Sequence, residues 1–365
     1  MSKMTNAQLI DWLIEHGGPV VRYRAAAELA SGVSPAELRR LEKGMLRIPL
    51  VRKWLGNLKP GRFHNGKDTD FENVMGKLLE FGLRAGMAPL DKQTAPFRGK
   101  AFAAIVDGPR GMMRMLNGLI AAGGLARAGY ASDEPLRRFL LERLDAVCRT
   151  TRKAGYDIYL DPDTFGDMPK AWRVKNRPLV NPEFIPDGEF GLPYIHDLYA
   201  LSAFPADLKT AAVSRKINEL VRYVLAPEFQ ALPSEYGLLR AGKGRYYAIG
   251  WGCNLPGYDG SDLHPRAAKM FVQRVELMAH FAVARKHAWF RGALKHLEGF
   301  RAETGTYLFP RAYLHEARDS YWVSGAHMGL EEDRRRPRAL ELESTFRMLR
   351  IKRLAAGKVT GSARG

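Results

Sequence analysis

The sequence is poor in cysteine, in long apolar runs and in strand-like stretches. Only Cys148 and Cys253 occur among 365 residues. They stand far apart and in no CxxC spacing, which excludes a disulfide framework and a paired-thiol redox motif. Reduced thiols and a cytoplasmic location are expected. No run of about 18 uncharged apolar residues is present, and the longest candidate, GLIAAGGLA, is too short to span a bilayer. The opening MSKMTNAQLIDWLIEHGG has no basic stretch leading into an apolar one and carries Asp11 and Glu15, so it reads as a helix rather than a signal peptide. There is no P-loop, GxGxxG, GxSxG or HExxH, so nucleotide-cradle, hydrolase-elbow and zincin chemistries lack their motifs. No cofactor is indicated.

Acidic residues are outnumbered. Against 39 Asp and Glu stand 57 Lys and Arg, a formal net charge of +18. Such a field attracts polyanions. No nucleic-acid motif accompanies it, so nucleic acid has only charge in its favour. The densest basic set is Arg334, Arg335 and Arg336, then Arg347, Arg350, Lys352 and Arg353. It is expected to be a solvated helix end leading into a tail.

What is abundant is helical periodicity. Leu9, Trp12 and Leu13 share a face after an Asn cap at position 6. Ser34, Pro35 and Glu37 mark another helix start. Further helical stretches begin at DFENVMGK, GMMRMLNG, DEPLRRFL, LKTAAVSR, HPRAAKMF, HAWFRGAL and ALELESTF. Strand candidates are few: YDIYL and RYYAIGW. Residues 161–193 form a long segment rich in Pro, Gly and Asp that predicts little regular structure and a functional or covering role. No linker marks a boundary. The expectation is one all-α domain over 1–352, with 1–60 as a helical-repeat-like cap and 353–365 as a basic flexible tail.

A unit recurs of apolar helix, Gly-aromatic turn and next helix, clearest in ALKHLEGFRAETGTYLFP. This segment resembles the QW-type repeat of triterpene cyclases and the matching units of protein prenyltransferase β-subunits. Leu297 and Phe300 occupy its apolar face, Glu303 stands near the Gln, and Gly305-Thr306-Tyr307 replaces Gly-x-Trp. WLIEHGGPVVRYRAAAEL and YWVSGAHMGL are similar to the ends of uncharacterised bacterial members. The resemblance implies an α/α toroid, with helical hairpins in inner and outer rings, and AETGTYLFP as one of its corners. It also implies an isoprenoid diphosphate or a related apolar substrate in a central cavity. The chain departs from the pattern where the chemistry lies: it has no DxDD, and Trp251 stands two residues before Cys253 where Asp-x-Cys is required. A zinc set of Cys253, Asp259 or Asp262, and His327, with His264 as a spare, is therefore imaginable but lacks the spacing.

Three constellations have the residue types for chemistry. RFHNGKDTDFENVMGK places His64, Asn65, Asp68, Asp70, Glu72 and Asn73 around a helix start, where Asp68 or Thr69 would cap and Asp70 would favour the first turn. Glu72, Asn73 and Lys77 would edge a cavity, with Glu72 as a general acid. YLFPRAYLHEARDSYWVSGAHMGL holds Arg311, His315, Glu316, Arg318, Tyr321 and His327. Its arginines would grip phosphate or carboxylate and its histidines would move a proton. GKGRYYAIGWGCNLPGYDG supplies Arg245, Tyr246 and Trp251 for a cavity rim. The candidate catalytic set is thus Glu72, His315, Glu316 and His327, and the substrate-binding set is Arg245, Tyr246, Trp251, Arg311, Arg318 and Tyr321. Arg311, His315, Glu316 and His327 are expected to share a cavity with Glu72 and Tyr246. Three functions fit: an isoprenoid enzyme, a lyase or glycosidase on acidic glycans, or a non-enzymatic binder of a polyanion or acidic partner.

Overall fold

A computed structural model describes residues 3–107, 111–161, 163–173, 177–184, 190–250, 252–260 and 263–357. The fold is predominantly helical, with seventeen α-helices and one small four-stranded sheet among the described residues. None of those helices is long and apolar enough to cross a membrane. The chain divides into two compact units. One comprises Met1–Phe97, Arg127–Gly129 and Pro256–Gly365; the other comprises Arg98–Ala126 and Tyr130–Leu255.

The first unit begins with the helix Asn6–His16, capped by Thr5 rather than Asn6. The Thr5 hydroxyl accepts from Gln8 N while Gln8 Oε1 accepts from Thr5 N, a reciprocal box that leaves Asn6 inside the first turn. Ser34 caps Pro35–Arg47 as its sequence predicts. The helix Pro49–Asn57 follows with a single-residue break at Ile48. Three helices of this unit are buried on almost every side: Phe71–Glu80, Pro265–Ala279 and Ala339–Ala355. A helix with no solvent face must satisfy every polar side chain inside the protein. That requirement generates the unit's two polar features, the charge network described next and the candidate site.

Most of the C-terminal basic set is paired rather than solvated: Arg347 belongs to the core, while Arg335 is exposed. Arg347 is fully buried and reaches Glu80 Oε2 at 2.6 Å, Glu276 Oε2 at 3.1 Å and the Met328 carbonyl at 2.9 Å. Arg350 pairs with Glu28 and Glu276. Arg24 chelates Glu28 through Nε and Nη2 at 2.6 and 2.9 Å. Arg127 lies 3.7 Å from Glu80. Lys352 joins Glu298, Arg334 joins Glu343 and Arg336 joins Glu331. The solvated reading failed because local sequence shows the cations, while their carboxylates arrive from elsewhere in the chain. Residues 358–365 of the expected tail lie outside the described residues; Ala339–Ala355 and the turn after it account for the rest.

The AETGTYLFP segment forms a turn that follows the helix Ala288–Glu298. Gly305 (φ 98°) lets the backbone pass against Met4, where a β-carbon would meet its amide nitrogen at 2.8 Å. Tyr307 is fully buried, gives its hydroxyl proton to Glu298 Oε2 at 2.7 Å, and accepts from Lys352 Nζ. The carboxylate meeting Tyr307 is therefore Glu298; Glu303 is exposed.

In the second unit, the helix Met112–Leu125 packs against Ile195–Ser202 and Glu134–Ala154, and Glu134–Ala154 packs against Ala211–Leu225. The strands are β1 Tyr159–Leu160, β2 Leu179–Val180, β3 Gly237–Gly242 and β4 Arg245–Ile249, in the order β1-β2-β3-β4. β1 and β2 are antiparallel, β2 and β3 parallel, and β3 and β4 form a hairpin with Leu239 opposite Tyr247. The segment 161–193 thus supplies β2 and the short helix Lys170–Arg173. Buried Arg143 binds both carboxylate oxygens of Asp197 at 2.9 Å and the carbonyls of Phe190 and Leu192.

Candidate functional site

Two loops of the first unit interlock over one end of Phe71–Glu80. Loop 62–70 precedes the helix, and loop 315–330 lies against it. Asp70 occupies the N-cap position but its side chain does not cap; Oδ2 instead accepts from Lys67 N at 2.7 Å. Asn73, fully buried, donates to the Lys67 carbonyl and accepts from Trp322 N at 2.8 Å, tying the loops together. Asp68 and Asp319 exchange backbone-to-carboxylate hydrogen bonds, and Lys67 bridges to Asp319. Gly76 is the contact point: a β-carbon there would sit 2.3 Å from Trp322 Cγ, so only glycine admits the indole.

Two acid–base sets result. In the first, His64 Nδ1 lies 2.5 Å from Glu72 Oε2, and the imidazole stacks on Tyr321 with centroids 4.4 Å apart. An ionised carboxylate only accepts, so Nδ1 carries the proton between the two groups, and Nε2 is buried. Burial, with the carboxylates of Glu72 and Asp70, raises the Tyr321 pKa, keeping the phenol neutral and able to donate.

In the second, Lys77 Nζ reaches Glu316 Oε1 and Oε2 at 3.0 and 2.8 Å and the carbonyls of His327 and Gly329 at 3.3 and 2.7 Å. Glu316 also accepts from Gly329 N at 2.7 Å. Burial alone would raise its pKa, but the Lys77 ammonium, which also hydrogen-bonds the carboxylate, and the neighbouring His327 hold the carboxyl well below the ordinary range. His327 is buried with a left-handed backbone (φ 62°). Its Nε2 donates to the Ser320 carbonyl at 2.9 Å, Nδ1 faces Glu316 Oε1 at 3.7 Å, and Trp54 packs edge-on at 5.2 Å. A non-glycine residue held in that conformation costs about 1 kcal/mol or more, and such positions cluster at functional sites.

Of the residues expected to act, Glu72, Glu316, Tyr321 and His327 come together here. His315 is half-buried beside them in sequence; burial and then Lys269 lower its pKa, and its carbonyl accepts from Met328 N. Arg318 is exposed. Arg311 is exposed and donates to the Arg334 carbonyl at 3.2 Å. Arg245 and Tyr246 belong to the second unit, where the Tyr246 hydroxyl donates to Asp167 at 2.5 Å and Arg245 reaches the Tyr247 hydroxyl. Asp167 is held far below the carboxylate range by hydrogen bonds from Arg240, Tyr246 and Gly244 N. Trp251 and Asp262 lie outside the described residues. Cys253 is buried and donates to the Pro193 carbonyl, and no group of three His, Cys, Asp or Glu residues able to hold a metal occurs among the described residues. His64 and Lys77 are the members that sequence reasoning left off the site, although both stood in the first constellation. The signal available for Lys77 was its place in one polar row with Asn73, four residues before it, and Glu80, three after it, in a helix whose other residues are largely apolar.

No family model matches the chain, and no curated protein or solved structure is significantly similar to it.

Proposed function

We propose that this protein is an acid–base enzyme on an α/α-toroid scaffold, acting on an acidic glycan by β-elimination. The observation that carries the reading is His64, oriented by Glu72 and stacked against the neutral phenol of Tyr321. A base and an acid side by side suit abstraction of a proton and protonation of a leaving group on one face of a sugar. His64 Nε2 takes the proton α to the uronate carboxylate, and the C–H electrons become the new C=C bond. The β C–O bond breaks, and the Tyr321 hydroxyl supplies the proton to the departing oxygen. The strained His327, with Glu316 and Lys77, anchors the loop that carries Tyr321.

Support for the toroid comes from the presence of largely buried helices, such as Phe71–Glu80 and Ala339–Ala355, together with amphipathic ones such as Pro35–Arg47. Tyr307 in its buried corner supports the QW-type likeness. The net charge of +18 supports an anionic substrate.

The test is a panel of polygalacturonate, alginate and hyaluronan, following the ultraviolet absorbance of the unsaturated uronate product. One substrate should yield product, and His64→Gln and Tyr321→Phe should each lower kcat by roughly 100-fold or more with circular dichroism unchanged. Absence of product from every glycan, or full activity in His64→Gln, refutes the reading. Farnesyl diphosphate and inorganic diphosphate, compared by thermal shift, test the isoprenoid substrate that the resemblance implies. Stabilisation by the prenylated compound alone would move the assignment there.

A further inference from the structure

Away from the acid–base cluster, the first unit carries an open cleft of about 340 Å³ lined by Arg311, Arg334, Arg336, Arg338, Leu308 and Glu341, with the first turn of Ala339–Ala355 in its wall. Its four guanidiniums are not equivalent. Arg334 is spent on Glu343, with Nε 3.0 Å from both carboxylate oxygens and Nη2 2.7 Å from Oε2. Arg336 is spent on Glu331 at 2.6 Å. Glu341, the acid in the lining, accepts from Thr306 at 2.5 Å. Arg311 has only the Arg334 carbonyl as a partner, and Arg338 has no carboxylate partner among the described residues. Both are exposed. The two neutralised arginines thus form a fixed wall, and the other two keep their charge for something from solution.

Arg338 adds a second observation. It has φ 65°, a left-handed conformation that costs an arginine free energy and costs a glycine none. Among the described residues its guanidinium joins no ion pair, and the first turn it precedes accepts glycine well.

We propose that this cleft is a binding site for a multiply charged oxyanion, such as a phosphate, sulfate or carboxylate group on a larger ligand, gripped by Arg311 and Arg338. Guanidinium forks match the paired oxygens of these groups, and charge-assisted bonds to them are the strong class. The inference is independent of the elimination chemistry above, because no residue is shared.

The experiment titrates inorganic pyrophosphate into the full chain by calorimetry at constant ionic strength, with sodium chloride as the control. The wild type should bind pyrophosphate saturably, with a stoichiometry of one. Arg338→Gly should weaken binding roughly tenfold or more, while leaving thermal stability unchanged or raised because the left-handed backbone is relieved. Arg311→Ala should weaken binding likewise. Arg335→Ala, a neighbouring exposed arginine outside the lining, should not. Equal loss in Arg335→Ala, or no loss in Arg338→Gly and Arg311→Ala, would show that the overall positive field collects anions and would overturn the site. Failure of the wild type to bind above the chloride control would overturn it as well.

Discussion

Glu80→Gln tests the buried charge network most directly. Glu80 is 4% exposed at its side chain and stands between Arg347 at 2.6 Å, Arg127 at 3.7 Å and Arg24 at 3.9 Å. The network around it joins Arg24, Arg127, Arg347 and Arg350 to Glu28, Glu80 and Glu276, so cations are already in excess. Burial by itself would push the Glu80 carboxyl up, but Arg347, Arg127 and Arg24 pull it down to about 2. Removing one partner of such a buried pair costs about 3–5 kcal/mol. For a chain of this length the loss would lower the unfolding midpoint by roughly 5 °C. The assay is urea and thermal unfolding at pH 7. Because cations are in surplus, Glu80→Gln should cost more than Arg347→Met, and the double variant should recover part of the loss. The sign with pH follows. A depressed carboxyl contributes in full above its unfolded pKa, and the contribution is lost as pH falls from about 4.5 towards about 2. Glu80→Gln should therefore show a shallower acid dependence than the wild type over that window. Equal midpoints for wild type and Glu80→Gln at pH 7 would refute the reasoning.

Two further outcomes are expected. Gly76→Ala places a methyl group 2.3 Å from Trp322 Cγ, so it should cost about 1–3 kcal/mol or more and, by displacing the loop around Trp322, lower any activity of the His64 cluster; a urea midpoint equal to wild type would refute the contact. Cys148 is buried and its thiol is pushed up to about 11, first by burial and then by Glu219, while Cys253 is fully buried against the Pro193 carbonyl. Native protein at pH 8 should thus resist alkylation, and denatured protein should take up two equivalents; rapid native labelling would contradict the burial.

The periodic helices were legible because each repeats its apolar residues on a helical period regardless of what it packs against: Pro35–Arg47 carries its own cap and its own face. Ile195–Ser202 was not, since eight residues buried on almost every side show no amphipathic contrast. Loop 300–309 was legible as a turn, but not which carboxylate meets Tyr307: it is Glu298, at the end of the preceding helix, while Glu303 in the turn is exposed.

Sequence by itself determined the helical class, the scarcity of strands, the excess of positive charge and the short stretches in which reactive side chains are concentrated. These are local or additive properties, readable residue by residue. Tertiary structure alone decided which charges are surface and which are core. Arg347 and Arg350 look like a solvated basic helix until Glu28, Glu80 and Glu276 arrive from distant parts of the chain. It also decided that Glu72 meets His64 and that Lys77 meets Glu316 across 239 residues. An ion pair depends on distance in space, and only the packing of the helices sets that distance.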